Sequence, residues 1–270
     1  MPIPVSGYGI PSGIMGLVTA LVLPAGACSP AAMTAARPTE PTPTWDYVAL
    51  GDSTPAGYGV ARSYVDFYAV HIEADLGVKV TVHNWAMSGQ TTGHLLDALR
   101  NNQDLRTAIS EAEVVTLWTG WNDFGAPLSL YEGGLCGGPD NLDCIREAVT
   151  SFKANFDGII AEILSLGSTT DTIIRIAEVG NPFVARWKHQ GTFEDLKRPC
   201  FEDWRDYIVQ AASGYNIPVV HSYLVLNGAN GDEDPADKGL EQADGVHLND
   251  AGHALIADLH REVGYEPLGP

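Results

Sequence analysis

Ser53, Asp244 and His247 are the residues of this sequence whose types and setting suit nucleophilic catalysis. Ser53 ends an apolar run, WDYVAL, followed by Gly51 and Asp52, and it precedes Pro55, Gly57 and Gly59. A serine hydroxyl is a weak nucleophile until a base takes its proton, and the base needs a third group to fix its tautomer. Asp244 and His247 are three positions apart in a loop entering a helical stretch, so one short turn brings both toward Ser53. The chemistry also needs donors aimed at the developing oxyanion. Asn122 offers a side-chain amide, Gly89 a backbone N–H with no side chain in the way, and Ser53 its own N–H at a helix start. Taken singly, each residue has a plainer role. A serine after a strand caps a helix, Asn122 and Asp244 are turn formers, and a lone histidine is exposed or sits in a core. Their joint occurrence at successive strand ends decides for catalysis.

The elements that must position them are read from hydrophobic period. Apolar runs at 46–50, 78–84, 114–120, 172–180 and 217–223 predict five strands. Between and after them, 63–77, 143–167, 200–214 and 249–264 carry helical period, the first two ending at Gly77 and Gly167. Strand–helix alternation predicts one domain with a mostly parallel five-stranded sheet covered by helices on both faces, a three-layer α/β/α sandwich. No internal repeat or second domain is visible. Such sheets bind ligands beyond the carboxyl ends of their strands. Ser53 follows the first run, Asn84, Ser88 and Gly89 the second, Gly120, Asn122 and Asp123 the third, and Asn181 and Pro182 the fourth. A long acidic loop with Asp244 and His247 follows the fifth.

At these residues the chain resembles the SGNH (GDSL-type) hydrolase family. GDS at 51–53 matches its first block, NWAMSGQTT at 84–92 its second, GWND at 120–123 its third and DGVH at 244–247 its last. The four blocks are in order, and the resemblance spans roughly residues 45–262. Thr54 stands where many members have leucine. The resemblance implies a flavodoxin-like α/β/α fold and hydrolysis of esters, thioesters or acyl groups on sugars and lipids. It makes Ser53 the nucleophile, His247 the general base and Asp244 the group that orients it. Ser53, Gly89 and Asn122 would form the oxyanion hole. No metal or organic cofactor is implied. The G-x-S-x-G elbow of α/β-hydrolases is absent, because Pro55 occupies the place of its last glycine.

Composition narrows the partners. The chain has 270 residues and a formal charge of −19. Before Trp45 only Arg37 and Glu40 are charged, and they cancel, so the globular part carries all of it. A nucleic-acid partner would need clustered Lys and Arg, and docking on anionic lipid is likewise disfavoured. Residues 14–27 are apolar but short for a bilayer span, and 1–28 read as an export signal. AGAC at 25–28 resembles a bacterial lipoprotein processing site, with Cys28 as the lipidation candidate. Ala25 and the lack of a preceding Lys or Arg keep cleavage without lipidation open. Residues 29–44 are a Pro/Thr-rich linker, and 45–270 form the hydrolase domain.

Cys136 and Cys144 flank a Gly/Pro/Asn/Asp-rich loop that a disulfide would hold in shape, a pairing favoured over the two with Cys200. If Cys28 is lipidated, Cys200 is left unpaired. No zinc spacing occurs. The acidic stretch 231–239 lacks the EF-hand spacing and reads as a solvated loop rather than a Ca²⁺ site. Trp118, Trp121 and Phe124 flank Asn122 and serve either an acyl pocket or packing. Residues 181–200 read as a long substrate-facing loop or lid. The other histidines, 71, 83, 94, 189, 221, 253 and 260, read as structural or exposed.

The sequence thus predicts an exported serine esterase acting through an acyl-enzyme on Ser53, with activity falling at acid pH as His247 is protonated. A lipase, a phospholipase or a carbohydrate O-deacetylase would use the same residues. A non-catalytic cell-envelope binding module would have no need of all three of Ser53, Asp244 and His247. The expected partner is a small-molecule, lipid or acylated-carbohydrate ester, with the membrane reached only through an N-terminal lipid anchor.

Overall fold

The computed structural model describes residues 42–269. The expected export signal, Cys28 and nearly all of the expected linker lie outside the described residues. In chain order the elements are β1 (Thr44–Gly51), a single turn α1 (Ser53–Ala56), α2 (Tyr64–Leu76), β2 (Lys79–Asn84), α3 (Thr92–Asn101) and α4 (Gln103–Glu111). Then come β3 (Val114–Trp118), α5 (Gly125–Glu132), α6 (Asp143–Leu166), β4 (Ile173–Ala177), α7 (Val184–Gln190) and α8 (Phe193–Leu196). The last are α9 (Glu202–Gly214), β5 (Val219–Val220), α10 (Tyr223–Asn227) and α11 (Asp250–Glu262).

The five strands form one sheet in the order β2-β1-β3-β4-β5, and every neighbouring pair is parallel. Central strands covered on both faces must be apolar throughout. Tyr47, Val48, Ala49 and Leu50 of β1 are accordingly all at 0 % exposure. α2 packs on α11, while α6 packs on α3, α4, α5 and α9, giving the helical layers on either side. The chain crosses from β1 to β2 in one direction and then returns past β1 to β3. The crevice at the carboxyl ends of β1 and β3 is therefore the topological switch point, where open α/β sheets hold their ligands.

Local chemistry sets several boundaries. Ser63 and Asp66 make a reciprocal capping box at the start of α2, and Gly77 ends it. Asn102 closes α3 and caps α4, its side chain accepting from the Asp104 and Leu105 N–H groups. The expected helix at 143–167 is α6, which buries Ile145, Val149, Phe152, Phe156, Ile159 and Ile163. Cys136 and Cys144 are disulfide-bonded, and Cys200 is a free buried thiol that burial pushes up to about 11.

Three expectations need correction. β4 stops at Ala177 rather than running to 180, because the chain beyond Glu178 leaves the sheet, its last ladder bond being Glu178 N–H to Val220 O. β5 is only two residues long, since Tyr223 already starts α10. The stretch 181–200 is not one long loop but carries α7 and α8, which bury Val184, Trp187, Phe193 and Leu196. Trp187, with Leu196 beside it, joins an aromatic cluster in which Trp204 stacks on Phe124 at 4.9 Å and meets Phe152 at 5.1 Å and Phe201 at 5.4 Å.

His253 and His260 are buried structural histidines. His253 Nδ1 accepts the Tyr64 N–H. His260 Nδ1 lies 2.8 Å from the Ile256 carbonyl, which only accepts, so that nitrogen carries the proton. Its ring lies between those of Tyr64 and Tyr68, at 4.9 and 5.1 Å. Burial pulls the His260 imidazole down to about 4, from an ordinary 6.5. The folded protein therefore holds it neutral where the unfolded chain protonates it. Its contribution to stability is present above 6.5 and is lost as the pH falls toward 4. Asp52 and Glu241, held up to about 7 and about 8 chiefly by burial, act with the opposite sign, so the histidine has to be isolated by difference. The stability gap between wild type and His260→Gln in urea is expected to shrink by about 3 kcal/mol from pH 7 to pH 4. A gap independent of pH would contradict the assignment.

Candidate active site

Ser53 opens α1 directly beyond β1, with Asp52 as its N-cap accepting the Thr54 N–H at 3.1 Å. Gly51 answers for the approach of the two central strands. Its φ is +132°, and a Cβ there would lie 1.8 Å from the Trp118 carbonyl oxygen, so no other residue fits between β1 and β3 at this level. Asp52, almost fully buried, is thereby set behind the serine.

The loop before α11 carries the other two residues. His247 Nε2 lies 3.0 Å from Ser53 Oγ, and His247 Nδ1 lies 2.7 Å from Asp244 Oδ2. Asp244 Oδ1 also accepts the backbone N–H groups of Val246 and His247, both at 3.0 Å. Partial burial pulls the Asp244 carboxyl upward, but these hydrogen bonds outweigh it and hold the group below the usual carboxylate range. The ionised carboxylate fixes Nδ1 as the protonated nitrogen of His247. Nε2 then presents its lone pair to the Ser53 hydroxyl.

The second block is tied to the same rim by its backbone. Trp85 N–H donates to Ala49 O, Met87 N–H to Gly51 O, and Asn84 Nδ2 to Pro55 O. Gly89 takes a left-handed turn here, with φ +80°. Asn122 Nδ2 donates to the Gln90 carbonyl at 3.0 Å, which sets the asparagine beside the Gly89 turn. The second hydrogen of that amide has no partner among the described residues. Asp123 locks the arrangement by accepting the Thr92 N–H at 2.9 Å and the Thr92 hydroxyl at 2.5 Å. Ser53, Asp244 and His247 are thus in hydrogen-bonded sequence, and Gly89 and Asn122 are neighbours on the adjoining loops.

Several contributors had no separate signal in the sequence. The Tyr58 ring lies 4.4 Å from the His247 ring. Gln242 clasps the two halves of the site: its backbone N–H donates to His247 O, and its Nε2 donates to Tyr58 O and Leu248 O. Of the three aromatics around Asn122, Phe124 belongs to the core. Trp118 and Trp121 pack inward but also line a cleft beside Ser53, together with Thr54, Leu226, Val246 and Leu248. Trp121 is held there by donating its Nε1–H to Gly180 O. In the acidic stretch, Asp234 is buried and accepts the Ala185 and Ala236 N–H groups, so that carboxylate is structural rather than solvated. Among the described residues no three His, Cys, Asp or Glu side chains converge as a metal site.

The family model described as GDSL-like lipase/acylhydrolase matches residues 49–255, from the strand before Ser53 into α11. The chain belongs to the GDSL-like lipase/acylhydrolase family. This GDSL-like protein is similar in structure to the lipase Lip_vut3 from a goat rumen metagenome. The two share 25 % identity at a TM-score of 0.68, over 83 % of this chain and 99 % of the other. An acetyl-xylooligosaccharide esterase, Axe2 of Geobacillus stearothermophilus, has the same fold at 20 % identity and a TM-score of 0.58, over 84 % and 97 % of the two chains. The lipase/acylhydrolase from Enterococcus faecalis aligns at 22 % identity and a TM-score of 0.53, over 81 % and 95 %. No curated protein matches the sequence. The GDSL-like chain is therefore an ester hydrolase of this family, and family membership implies small-molecule esters as substrates.

Proposed function

We propose that the protein is an exported serine esterase that hydrolyses carboxylic esters through an acyl-enzyme on Ser53. The observation that carries this reading is the continuous relay from Ser53 Oγ through His247 to Asp244. His247 Nε2 takes the Ser53 proton as Oγ bonds to the ester carbonyl carbon. Negative charge on the carbonyl oxygen is met by the N–H groups of Ser53 and Gly89 and by Asn122 Nδ2. The C–O bond to the alcohol breaks, and His247 returns its proton to the departing oxygen. Water then attacks the acyl-enzyme, giving a proton to His247, and the acid leaves as Ser53 Oγ is reprotonated. Asp244 stays ionised throughout and stabilises the imidazolium. Export is supported by the apolar stretch at 14–27 and the Pro/Thr-rich linker after it, with Cys28 the residue that would anchor a lipidated form.

The test is labelling with a fluorophosphonate probe, in which the serine oxygen bonds to phosphorus and fluoride leaves, followed by peptide mapping and a hydrolysis panel of acetyl, octanoyl, palmitoyl and lysophospholipid esters. Stoichiometric label on Ser53 is expected, and the panel reads the acyl length. A folded protein that takes no label and hydrolyses none of the esters would favour the binding-module alternative. The oxyanion role has its own test. Asn122→Ala is expected to lower kcat by roughly 10²–10³, the range for loss of one such donor. A change below about threefold would remove Asn122 from the hole.

A further inference from the structure

The short turn that carries Ser53 also sets an aromatic ring against the candidate base. Tyr58 N–H donates to Ser53 O at 3.0 Å and closes the turn, and Gly57 and Gly59 on either side are left-handed, with φ +74° and +76°. Gln242 Nε2 donates to Tyr58 O at 2.8 Å, while the Gln242 N–H donates to His247 O at 2.7 Å. That clasp requires glycine at 59, where a Cβ would lie 2.2 Å from Gln242 Oε1. The backbones of Tyr58 and His247 are thereby tied to one side chain. Their rings lie 4.4 Å apart with 34° between the planes, so the tyrosine turns its face, rather than its edge, toward the imidazole.

Burial does not account for this placement. Tyr58 is 51 % exposed, so little of its ring is removed from water. What the ring offers is electrostatic. The face of an aromatic ring carries negative charge density and attracts a cation within about 6 Å of its centroid. A neutral imidazole gains little from that attraction, and an imidazolium gains all of it. In a serine relay the histidine becomes imidazolium each time it takes a proton, first from the serine and later from water. An interaction that strengthens as the proton arrives lowers the barrier rather than the energy of the bound substrate. Asp244 meets the developing charge at the ring edge through Nδ1, and Tyr58 meets it at the ring face. The other titratable group that feels His247 is His253, which burial pulls down to about 4, so it is neutral at pH 7 and does not oppose the charge.

We propose that Tyr58 is a positioning residue for His247, its ring face holding the imidazolium more tightly than the neutral imidazole and so favouring both proton transfers. This rests on the reading of Ser53 and His247 as nucleophile and base. The experiment varies the charge on the ring face at nearly constant shape. Tyr58→Phe is the reference, and phenylalanines bearing one, two and three ring fluorines at position 58 drain the face stepwise. kcat and KM are measured on an activated acetate ester, with active sites counted by the fluorophosphonate label so that the folded fraction cancels. The logarithm of kcat is expected to fall with each fluorine, by roughly 3–30-fold over the series, with KM held within about twofold because both proton transfers slow together. Tyr58→Leu, which keeps bulk but has no ring face, is expected to lose at least as much as the trifluorinated ring. A ring that only packs would leave kcat level across the fluorine series, and that result would overturn the assignment. Ser53→Ala and His247→Ala, run in parallel, separate the two readings. If either hydrolysed the ester at the wild-type rate, the nucleophile-and-base reading and this one would fall together. If both were inactive while the fluorine series stayed level, only the Tyr58 assignment would fall.

Discussion

Ser53→Ala is expected to lower kcat for any ester the protein hydrolyses by roughly 10⁴–10⁶, with the fold intact. On the proposed mechanism the size follows from the unit Ser53 belongs to: without Oγ there is no acyl-enzyme, and His247 has no proton to take. What survives is binding and the oxyanion donors, worth about 10³–10⁴ over the reaction in water. Little stability is at stake, because Asp52 rather than Ser53 caps α1, and Ser53 is only half-buried. The thermal midpoint should move by no more than about 2 °C. His247→Ala should cost a comparable factor, and the double variant scarcely more than either single one, since residues acting as a unit are not additive. Steady-state kinetics on an activated acetate ester, beside calorimetry, gives both numbers. A loss of less than tenfold in Ser53→Ala would place the nucleophile elsewhere.

Trp204→Ala is expected to destabilise the protein by about 3–5 kcal/mol. The indole is 1 % exposed and is among the largest fully buried side chains. It touches Trp121 and Phe124 of the turn after β3, Phe152 of α6 and Phe201 just before α9, at centroid distances of 4.9–5.5 Å. Its removal therefore opens a cavity that no one segment can close. A Cβ at Gly120 would lie 2.6 Å from the same indole, so the turn that delivers Asn122 is shaped against Trp204. The variant should accordingly lose activity as well as stability, with kcat falling more than KM rises. Urea denaturation measures the first effect. A destabilisation below about 1.5 kcal/mol would mean that the cluster repacks and is not a rigid support.

Ser53, Asp244 and His247 could be read in the sequence because each stands beside a break between apolar runs, and the short D-x-x-H spacing is local. The parallel sheet was legible for the same reason: central strands buried on both faces are apolar throughout, as Tyr47 to Leu50 are. What was missed depends on tertiary partners. Residues 92–111, for which the sequence reading assigns no element, hold two short helices, the Asn102 side chain capping the second where the first ends. Residues 181–200 look like a loop by their length and mixed charge. They fold because Val184, Trp187, Phe193 and Leu196 are buried, Trp187 against the rings of Trp121 and Phe201, partners that no local pattern announces. Tyr58 and Gln242 meet the site only once the loop before α11 has docked.

The Ser53–His247 hydrogen bond joins positions 194 residues apart in the chain. Synthesis runs from Ser53 toward His247, and a domain folds as a unit. On the proposed mechanism the growing polypeptide carries its serine for most of its manufacture without the base that would make it reactive. On that mechanism hydrolytic power arrives only when α11 settles on α2 and the relay closes. A fragment that stops short of that docking would hold a serine without its base, so the appearance of turnover during refolding would report the docking of the last helix.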